Sequence, residues 1–462
     1  MINIVIPLGG FGQRFRDAGY VYPKPLIKVF GKEILFWLMD SFNLDTIDNV
    51  IIPYNKELSK YNFEDIVRQR YSKLKIIFYQ LPVQTNGAVD TLKILLQTNS
   101  HLLDNIYPVM CIDGDNFYKC DIISMLSSSS SKNALFYHVN TQSNPIYSYI
   151  SIDDDGYVTK IKEKEKLSDN ACTGIYCFES FSFLHRSIKS FLSRPLDTLN
   201  HGELYTSKLI DFLLPANKFL SICVQSSDYI CLGTPLQLRC YYNNIPVHSA
   251  IPTVNSIKLD VNNIRVCFDL DNTLVTTPLI ANDYTTVMPI RNMINYLCYL
   301  KKMGITIIIY TARRMLTHSG NQGKVLADIG TITFDTLKKF NIPFDEIYFG
   351  KPYADFYIDD KAVNPFGDYE KEMGFYLNNI HPRSFNNLTL DVSEGVQFYR
   401  KSGRVDGEIY YYNNIPPTIK DIFPIMISYN ENNQWYSIER IEGITISELY
   451  MSQELTDSVL YY

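Results

Sequence analysis

The chain has 462 residues, of which 46% are hydrophobic and 20% are charged, and its formal net charge is −6. This length predicts roughly two to four domains, and the mild acidity argues against a surface that binds nucleic acid. No apolar run reaches the roughly 18 residues of a membrane span, and the N-terminus lacks the basic region and cleavage site of a signal peptide. Nine scattered cysteines without a CxxC pair fit free thiols better than a zinc site, so we expect a cytoplasmic protein.

Strand-like and helix-like segments alternate through residues 1–240. Short apolar runs such as NIVIPL, NVIIPY, KIIFYQ, YPVMCID and ALFYHV are separated in several places by helical patterns such as ILFWLMDSF and AVDTLKILLQ. Strands separated by helices predict an α/β domain with a mixed, mostly parallel sheet. Residues 241–264 are rich in Asn, Pro and Ser, and we interpret them as a linker.

A second α/β pattern covers residues 265–382. IRVCFDLD, ITIIIYT and ADFYIDD are predicted strands, RNMINYLCYLKKMG is a predicted helix closed by glycine, and VLADIGTITFDTLKKFN is predicted to be helical in its later part. Residues 383–462 change to short alternating runs such as GEIYYYNN, FPIMISYN and QWYSIERI. They predict a small β-rich module that ends in one helix, ISELYMSQELTDSVLYY.

A glycine-rich turn follows the first strand. Gly9, Gly10 and Gly12 let backbone N–H groups approach an anionic ligand, and Arg14 adds a cation, although a glycine loop alone would also fit a plain strand-to-helix turn. Lys24 follows in YPKPLIKVFGK, between two prolines that stiffen the chain. Together these segments resemble the signature of the sugar-1-phosphate nucleotidyltransferases. The resemblance implies a Rossmann-like domain over residues 1–240 that joins a nucleoside triphosphate to a sugar or polyol phosphate and releases pyrophosphate.

The same resemblance implies roles for residues along the whole segment. Lys24 and Arg14 would supply catalytic charge, Asp115 would bind Mg²⁺, and alternation would place Asp113 on the same face of the strand as Asp115. The implied nucleotide-binding residues are Leu8, Gly9, Gly10, Gly12, Gln80, Gln84, Gly87, Ala88 and Asp113. The implied sugar-binding residues are Glu163, Lys164 and Gly174. The run KIKEKEK, which contains Glu163 and Lys164, would equally fit a solvated strand edge.

One position departs from the family pattern. The family usually carries a second metal-binding Asp two residues before a Gly-Thr-Pro, and here Cys231 occupies that position ahead of Gly233. A neutral thiol is a poor ligand for Mg²⁺, and Asp228 would face the other side of an extended strand. Either one carboxylate and the nucleotide phosphates suffice for the metal, or the domain is slow or inactive.

The segment VCFDLDNTLV carries the strongest local signal in the chain. Asp269 and Asp271 follow an apolar strand with a spacing that projects both carboxylates from one face. One carboxylate can attack a phosphoryl group while the other handles the proton of the leaving group, and two anions facing a phosphate require a cation such as Mg²⁺. This DxDxT motif resembles that of the haloacid dehalogenase superfamily, in which Asp269 would be the nucleophile and Asp271 the general acid and base.

Further residues match that superfamily in order. Thr311 would hold the phosphate, Lys351 would orient the nucleophile, and Asp359 and Asp360 would bind the metal together with Asp269 and Asp271. Arg313 and Arg314 would either contact the substrate phosphate or lie solvated at the surface. The stretch between Asp271 and Thr311 is too short for a large cap domain, and the motif region also resembles phosphatases of capsule and surface-polysaccharide gene clusters.

Residues 395–450 resemble the small lobe of aminoglycoside-phosphotransferase-like kinases, but the catalytic lobe is missing and no kinase activity is expected. The segment would be a remnant, a docking module or the start of a larger domain. The leading interpretation is a bifunctional enzyme of nucleotide-sugar or nucleotide-polyol biosynthesis. The alternatives are a phosphatase with a catalytically weak nucleotide- or sugar-binding domain and a pathway scaffold. The partners are a nucleoside triphosphate and a sugar or polyol phosphate, and a homo-oligomer is left open.

Overall fold

A computed structural model describes residues 1–43, 46–141, 145–194, 203–243, 253–254, 257–258, 263–377, 386–393, 396–403, 405–430 and 435–439. The chain divides into two compact units, of which the first is built mainly from Met1–Tyr241 and the second mainly from Leu259–Lys371 and Phe375–Tyr462. Most of the predicted linker, residues 241–264, lies outside the described residues. No helix in the described ranges is both long and apolar enough to cross a membrane.

The first unit is organised around a nine-stranded sheet with a central strand order of β10-β9-β11-β6-β1-β4-β5. Its strands and the short ladders beside them are β1 (Ile2–Val5), β2 (Lys28–Val29), β3 (Lys32–Glu33), β4 (Ile47–Asn55), β5 (Ile76–Leu81), β6 (Val109–Ile112), β7 (Asn116–Tyr118), β8 (Ala134–Val139), β9 (Ser148–Ile152), β10 (Val158–Glu163), β11 (Asn170–Phe178), β12 (Leu220–Cys223), β13 (Tyr229–Cys231), β14 (Thr253–Val254) and β15 (Ile257–Lys258). Strands β6, β1, β4 and β5 are parallel, whereas β11 runs antiparallel to β6, β8 and β9. The predicted mixed α/β sheet is therefore confirmed.

Helices connect these strands and cover the sheet. They are α1 (Gln13–Asp17), α2 (Ile34–Met39), α3 (Phe63–Arg70), α4 (Ala88–Thr98), α5 (Ile122–Ser128), α6 (Phe181–Leu192), α7 (Thr206–Leu213) and α8 (Pro235–Asn243). Every residue of β1 and of β6 is buried, as expected of strands covered on both faces. Val89, Leu92, Leu95 and Leu96 place one apolar stripe of α4 in the same core cluster as Val5 of β1.

The second unit begins with a three-stranded parallel sheet in the order β16-β17-β18, which is followed by an antiparallel sheet. The strands are β16 (Arg265–Phe268), β17 (Thr306–Tyr310), β18 (Glu346–Tyr348), β19 (Asn386–Ser393), β20 (Val396–Gly403), β21 (Met426–Asn430) and β22 (Trp435–Glu439), and the helices are α9 (Arg291–Lys302), α10 (Gln322–Lys339), α11 (Tyr369–Met373) and α12 (Asp406–Asn413). Helix α10 begins before the predicted segment and ends at Lys339, so it is not confined to the later part of that segment. Asn321 caps its start by accepting a hydrogen bond from the Lys324 N–H at 3.0 Å.

The predicted strand ADFYIDD, residues 354–360, does not form. Its apolar residues are exposed, Phe356 at 87% and Ile358 at 101% of the full accessibility of the residue. A strand needs the backbone of a neighbour to accept and donate its ladder hydrogen bonds, and β16, β17 and β18 pair among themselves without this segment. The alternation of apolar residues was therefore not sufficient to predict a strand.

In the antiparallel sheet β19-β20-β22-β21, strands lie within FPIMISYN and QWYSIERI, whereas GEIYYYNN contains none. The latter segment lies in helix α12, where Val405 and Ile409, four residues apart, are both buried and where Asp406 and Glu408 lie in the first turn. Burial at this helical spacing and acidic residues at a helix N-terminus outweigh the apparent alternation. The predicted final helix, ISELYMSQELTDSVLYY, lies outside the described residues.

Candidate functional site

The glycine turn after β1 is fixed by neighbouring side chains. The Gln84 amide donates to the Gly9 carbonyl at 3.1 Å, and Asn55 donates to the Gln84 amide oxygen at 2.6 Å. A Cβ atom on Gly9 would lie 2.3 Å from the Thr85 hydroxyl, so only glycine fits there. Leu8 hydrogen-bonds through its backbone N–H and C=O to the chain of β4 on one side. Gln84, predicted to contact the nucleobase, thus holds the loop in this structure.

Gly12 sets the approach of Lys24. Its φ is +64°, and a Cβ atom there would lie 2.9 Å from the Lys24 Cβ, so glycine allows the two chain segments to come together. Lys24 begins a single 3₁₀ turn, and its Nζ forms an ion pair with the Asp115 carboxylate. Arg14 is exposed on α1, and a Cβ atom on Gly10 would meet nothing within 4 Å. The structure therefore brings Lys24 to Asp115 and leaves the glycine loop open on one side.

Asp113 and Asp115 lie in the turn after β6 rather than on the strand itself. The Asp113 N–H donates to the Gly174 carbonyl at 2.9 Å, and Gly174, with φ +82°, leaves room for the carboxylate because a Cβ atom would lie 2.6 Å from Asp113 Oδ2. Desolvation raises the pKa of Asp113 to about 8, and the negative charge of Asp115 adds to this rise while Lys24 opposes it. The folded site therefore favours the neutral form of Asp113, while Lys24 pairs with Asp115.

Cys231 does lie at this site. Strand β13 pairs antiparallel with β7 and places Cys231 opposite Asn116. The next residue, Leu232, donates its N–H to the Asp115 carbonyl at 2.8 Å, and a Cβ atom on Gly233 would lie 3.0 Å from Asp115 Oδ2 and 3.4 Å from Cys231 Sγ. Burial, reinforced by the Asp115 charge, raises the pKa of the thiol to about 12, so the group is neutral.

Asp228 occupies a different place from Cys231. It ends a short 3₁₀ turn before β13, and its carbonyl accepts a hydrogen bond from the Lys119 N–H at 2.9 Å. Its negative charge raises the pKa of the neighbouring Cys120 thiol, an effect second to burial. Asp228 is thus next to Lys119 and Cys120, and it does not replace the carboxylate that is missing at Cys231.

Glu163 is half-buried and held by neighbouring hydroxyl groups, whereas Lys164 is exposed. The Glu163 carboxylate accepts hydrogen bonds from the hydroxyls of Ser148 and of Ser207, the latter at 2.7 Å. Lys164 has φ +53°, and its Nζ lies 3.4 Å from the Tyr205 hydroxyl. The sequence pattern did not point to Tyr205 or Ser207. Tyr205 immediately precedes α7 and Ser207 lies in its first turn, far along the chain from Glu163 and without a recognisable motif.

The predicted base-contacting turn is tied to the same segment that leads into α7. Gly87 has φ +102°, and a Cβ atom there would lie 2.7 Å from the Leu204 carbonyl. That carbonyl accepts the Val89 N–H at 3.0 Å, and the Leu204 N–H donates to the carbonyl of Asn86 at 2.9 Å. Ala88 begins α4, and Gln80 is exposed on β5. The chain at Leu204 thus joins the turn before α4 to the Glu163 region.

The second predicted site lies where β16 and β17 end side by side. Lys351 Nζ pairs with Asp269 Oδ2 at 3.2 Å, and the Lys351 N–H donates to the Thr311 carbonyl at 3.3 Å. Thr311 is fully buried, and its hydroxyl accepts the Arg313 N–H at 3.1 Å. Burial raises the pKa of Asp269, although Lys351 opposes the shift. The structure brings Asp269, Thr311 and Lys351 together, as the motif predicts.

Arg313 is neither at the solvated surface nor free to bind phosphate in this structure. It is only 2% exposed, and it donates from Nε to Asp271 Oδ2 at 2.9 Å and from Nη2 to Asp271 Oδ1 at 2.8 Å. Its Nη1 donates to the Thr333 hydroxyl at 3.2 Å, and its guanidinium lies 4.7 Å from the centre of the Tyr284 ring. Arg314 instead donates to the Asn282 carbonyl at 3.0 Å. Arg313 is therefore a bidentate partner of Asp271.

Asp359 and Asp360 lie on the exposed irregular segment that was predicted to be a strand. The described part of the chain contains no cluster of three or more His, Cys, Asp and Glu side chains arranged to hold a metal ion. The carboxyl groups that lie near the predicted phosphate sites are Asp113 and Asp115 in the first unit and Asp269 and Asp271 in the second.

Comparisons with known proteins concern the first unit. Residues 3–208 match the family model described as nucleotidyl transferase. A UTP–glucose-1-phosphate uridylyltransferase from Synechocystis sp. (strain ATCC 27184 / PCC 6803 / Kazusa) is 26% identical over 195 residues, which cover 38% of this chain and 49% of that protein. The chain thus spans about half the length of this curated relative.

Two solved structures are also similar to this part. A nucleoside-diphosphate-sugar pyrophosphorylase from Vibrio cholerae RC9 is 18% identical, with 53% of this chain and 100% of that chain covered and a TM-score of 0.45. An inositol-1-phosphate CTP transferase from T. maritima is 12% identical, with 51% and 90% covered and a TM-score of 0.40. The likeness of residues 3–208 to the nucleotidyl transferase family therefore covers a little less than half of the chain.

Proposed function

We propose that the first unit transfers a nucleotidyl group from a nucleoside triphosphate to a sugar or polyol phosphate and releases pyrophosphate. The observation that carries this proposal is the position of Lys24, which the close approach at Gly12 places on Asp115 beside Asp113. The arrangement joins a cation to a carboxylate pair at the end of a buried parallel strand, next to an open glycine turn. The name of the Synechocystis relative makes UTP and glucose 1-phosphate the first substrates to test.

The chemistry is an in-line displacement. An oxygen of the acceptor phosphate attacks the α-phosphorus, the bond to the β-phosphate oxygen breaks, and pyrophosphate leaves with the electron pair. Lys24 and Arg14 contribute positive charge as negative charge develops on the transferred group, and the glycine turn offers backbone N–H donors. Asp115 and Asp113 fit Mg²⁺, which binds one or two carboxylates together with substrate phosphates and would supply further positive charge there.

Glu163 and Lys164 are the proposed acceptor contacts. The two hydroxyls that donate to Glu163 keep its carboxylate oriented, and the oxygen atoms retain capacity to accept from a sugar hydroxyl. Lys164 Nζ lies 5.3 Å from the centre of the Tyr205 ring, and this contact restrains the ammonium group. Glu163 would orient the acceptor, and Lys164 would balance the charge of its phosphate.

An assay of pyrophosphate release tests this function. The full chain with Mg²⁺ is supplied with UTP, CTP, GTP, dTTP or ATP and with glucose 1-phosphate or other sugar and polyol phosphates. We expect release with a preferred nucleotide and its loss in Lys24→Met. Absence of release from every combination, with the protein folded by circular dichroism, would support the alternative in which the neutral Cys231 leaves a nucleotide- or sugar-binding domain without turnover.

We also propose a second activity, the hydrolysis of a phosphomonoester by the second unit in the manner of the haloacid dehalogenase superfamily. The observation that favours it is the meeting of Asp269, Thr311 and Lys351 at the ends of two adjacent parallel strands. An Asp269 oxygen would attack phosphorus, the ester P–O bond would break, and the leaving oxygen would take a proton from Asp271. Water would then hydrolyse the aspartyl phosphate, and its proton would return to Asp271.

Two features of the structure bear on that reaction. Asp271 must loosen its bidentate contact with Arg313 before one of its oxygens can carry a proton to the leaving group. Asp269 and Asp271 offer carboxylate oxygens, the ligands that Mg²⁺ prefers and binds together with substrate phosphates. Mg²⁺ would supply positive charge to the phosphoryl oxygens, and Lys351 balances the charge of Asp269.

The phosphatase proposal is tested with Asp269→Asn in the full chain. The substrates are p-nitrophenyl phosphate and the sugar and polyol phosphates of the first assay, with release of inorganic phosphate as the readout. We expect the variant to lose phosphate release and to retain pyrophosphate release, since the two activities use different residues. Unchanged phosphate release in Asp269→Asn would show either that another group is the nucleophile or that a contaminating phosphatase produces the activity.

A further inference from the structure

His138 is a buried histidine that the proposed reaction does not yet use. It lies on β8 with 8% of its surface exposed, and neither ring nitrogen has a hydrogen-bond partner among the described residues. Its ring lies 4.6 Å from the ring of Tyr229 and 5.5 Å from the ring of Tyr147, measured between centres. A buried polar group without a partner costs free energy, so such a group in an enzyme points to a ligand that completes it.

The two tyrosines beside His138 are each hydrogen-bonded to a residue of the first unit near the predicted site. The backbone carbonyl of Tyr147 accepts the Lys164 N–H at 3.0 Å, so Tyr147 is bonded to one of the two proposed acceptor contacts. The Tyr229 hydroxyl donates to Asn116 at 3.3 Å, and the Asn116 amide nitrogen is 2.8 Å from the position of a Cβ atom on Gly174. His138 is therefore in ring contact with one tyrosine that is bonded to Lys164 and with another that is bonded to Asn116.

The alternation of β8 separates His138 from the large apolar core. Leu135 and Tyr137 point to the face on which that core cluster lies, so His138 lies on the opposite face of the strand. Two aromatic side chains that carry hydroxyl groups, those of Tyr147 and Tyr229, lie beside its ring. This environment is typical of ligand sites with an apolar lining and a few polar groups.

We propose that His138 is a specificity-determining residue of the acceptor subsite, where its imidazole hydrogen-bonds a hydroxyl group of the sugar or polyol phosphate. The inference rests on the proposed transferase function of the first unit and names the part of the acceptor that the site recognises. A neutral imidazole has one donor and one acceptor nitrogen, which matches a hydroxyl group better than a phosphate dianion. Burial lowers the pKa of His138 to about 4, although the Val139 backbone opposes the shift, so the ring is neutral near pH 7.

The test compares binding of glucose 1-phosphate and of its 2-, 3-, 4- and 6-deoxy analogues to the full chain by titration calorimetry. The variants are His138→Phe, which fills the same aromatic space without nitrogens, and His138→Gln, which retains a donor and an acceptor. His101→Phe is the control, because His101 is exposed in a short 3₁₀ turn. We expect His138→Phe to weaken binding of glucose 1-phosphate by about 3- to 10-fold, the effect of one hydrogen bond.

The analogues locate the hydroxyl group. One deoxy analogue is expected to bind wild type and His138→Phe equally, because the hydroxyl that His138 recognises is already missing from it. His138→Gln is expected to recover part of the affinity, and binding of the nucleoside triphosphate is expected to stay unchanged in all variants. Since His138→Gln keeps hydrogen-bonding capacity, it also serves as the test if His138→Phe does not fold.

Two results would overturn the proposal. Equal affinity of wild type and His138→Phe for glucose 1-phosphate, with a higher melting temperature of the variant, would show that His138 is only an unpaired buried group. A wild-type protein that binds none of the five compounds would also overturn it. Binding that depends on His138 without any pyrophosphate release would refute the transferase activity and leave the acceptor subsite standing, so the two failures are distinguishable.

Discussion

Arg313 donates to both carboxylate oxygens of Asp271 while its own side chain is completely buried. Asp271 remains 24% exposed, so the pair joins an inaccessible cation to a carboxylate at the edge of the second site. Thr333 and the Tyr284 ring complete the surroundings of the guanidinium but carry no negative charge. The only carboxylate that the described residues offer to Arg313 as an ion-pair partner is therefore that of Asp271.

Asp271→Asn is expected to destabilise the second unit by about 3 kcal/mol, because it leaves a buried cation without its counter-charge. Asp269→Asn is the matched control. It removes the carboxylate that pairs with Lys351, but burial already disfavours the charged form of Asp269, so we expect the free energy of unfolding to change little. The measurement is urea unfolding of the full chain followed by circular dichroism. Equal stability of the two variants would mean that the Arg313 contact contributes nothing to the fold.

Lys24→Met is expected to reduce the transferase rate by about 2–4 kcal/mol of transition-state stabilisation, the effect of one preorganised charge donor. Lys56→Met, which removes an exposed lysine of the same unit, is the control and is expected to leave the rate unchanged. The readout is kcat/KM for pyrophosphate release. A rate near that of wild type would remove Lys24 from the mechanism and reduce its contact with Asp115 to an ordinary ion pair.

Cys231→Asp is expected to add a carboxylate beside Asp115 and so to strengthen the binding of Mg²⁺. In EDTA the added negative charge should lower the melting temperature, whereas Mg²⁺ should raise it more than in wild type, and pyrophosphate release should increase. Cys223→Asp, at an exposed cysteine on β12, is the matched control. The same response to Mg²⁺ in both variants would show that position 231 does not reach the metal site.

Asp113→Asn is expected to stabilise the metal-free first unit increasingly as pH rises from 5.5 to 8.5. The folded-state pKa of Asp113, about 8, lies above the ordinary value of 3.8 for an aspartate, so stability is lost as pH rises between these two values. The neutral Asn avoids that loss. Melting temperatures in EDTA at several pH values measure the difference, and a constant gap between variant and wild type would contradict the raised pKa.

Local sequence patterns were sufficient where neighbours along the chain decide the structure. The buried runs of β1 and β6, the glycine turn and the strand end before Asp269 were predicted because burial on both faces, positive φ and period-two spacing are properties of short segments. Short segments also misled the prediction at residues 354–360 and at α12, where the sequence alternates but the chain forms no ladder in the first case and buries Val405 and Ile409 in the second.

The sequence by itself determined the α/β class of the first unit, the nucleotidyl transferase signature and the order of the candidate residues. Only the tertiary structure decided that two distant serine hydroxyls hold Glu163, that Arg313 is buried on Asp271, and that Cys231 lies beside Asp115. The reason is physical. A motif specifies which groups are present, whereas their partners and pKa values depend on which distant segments exclude water around them.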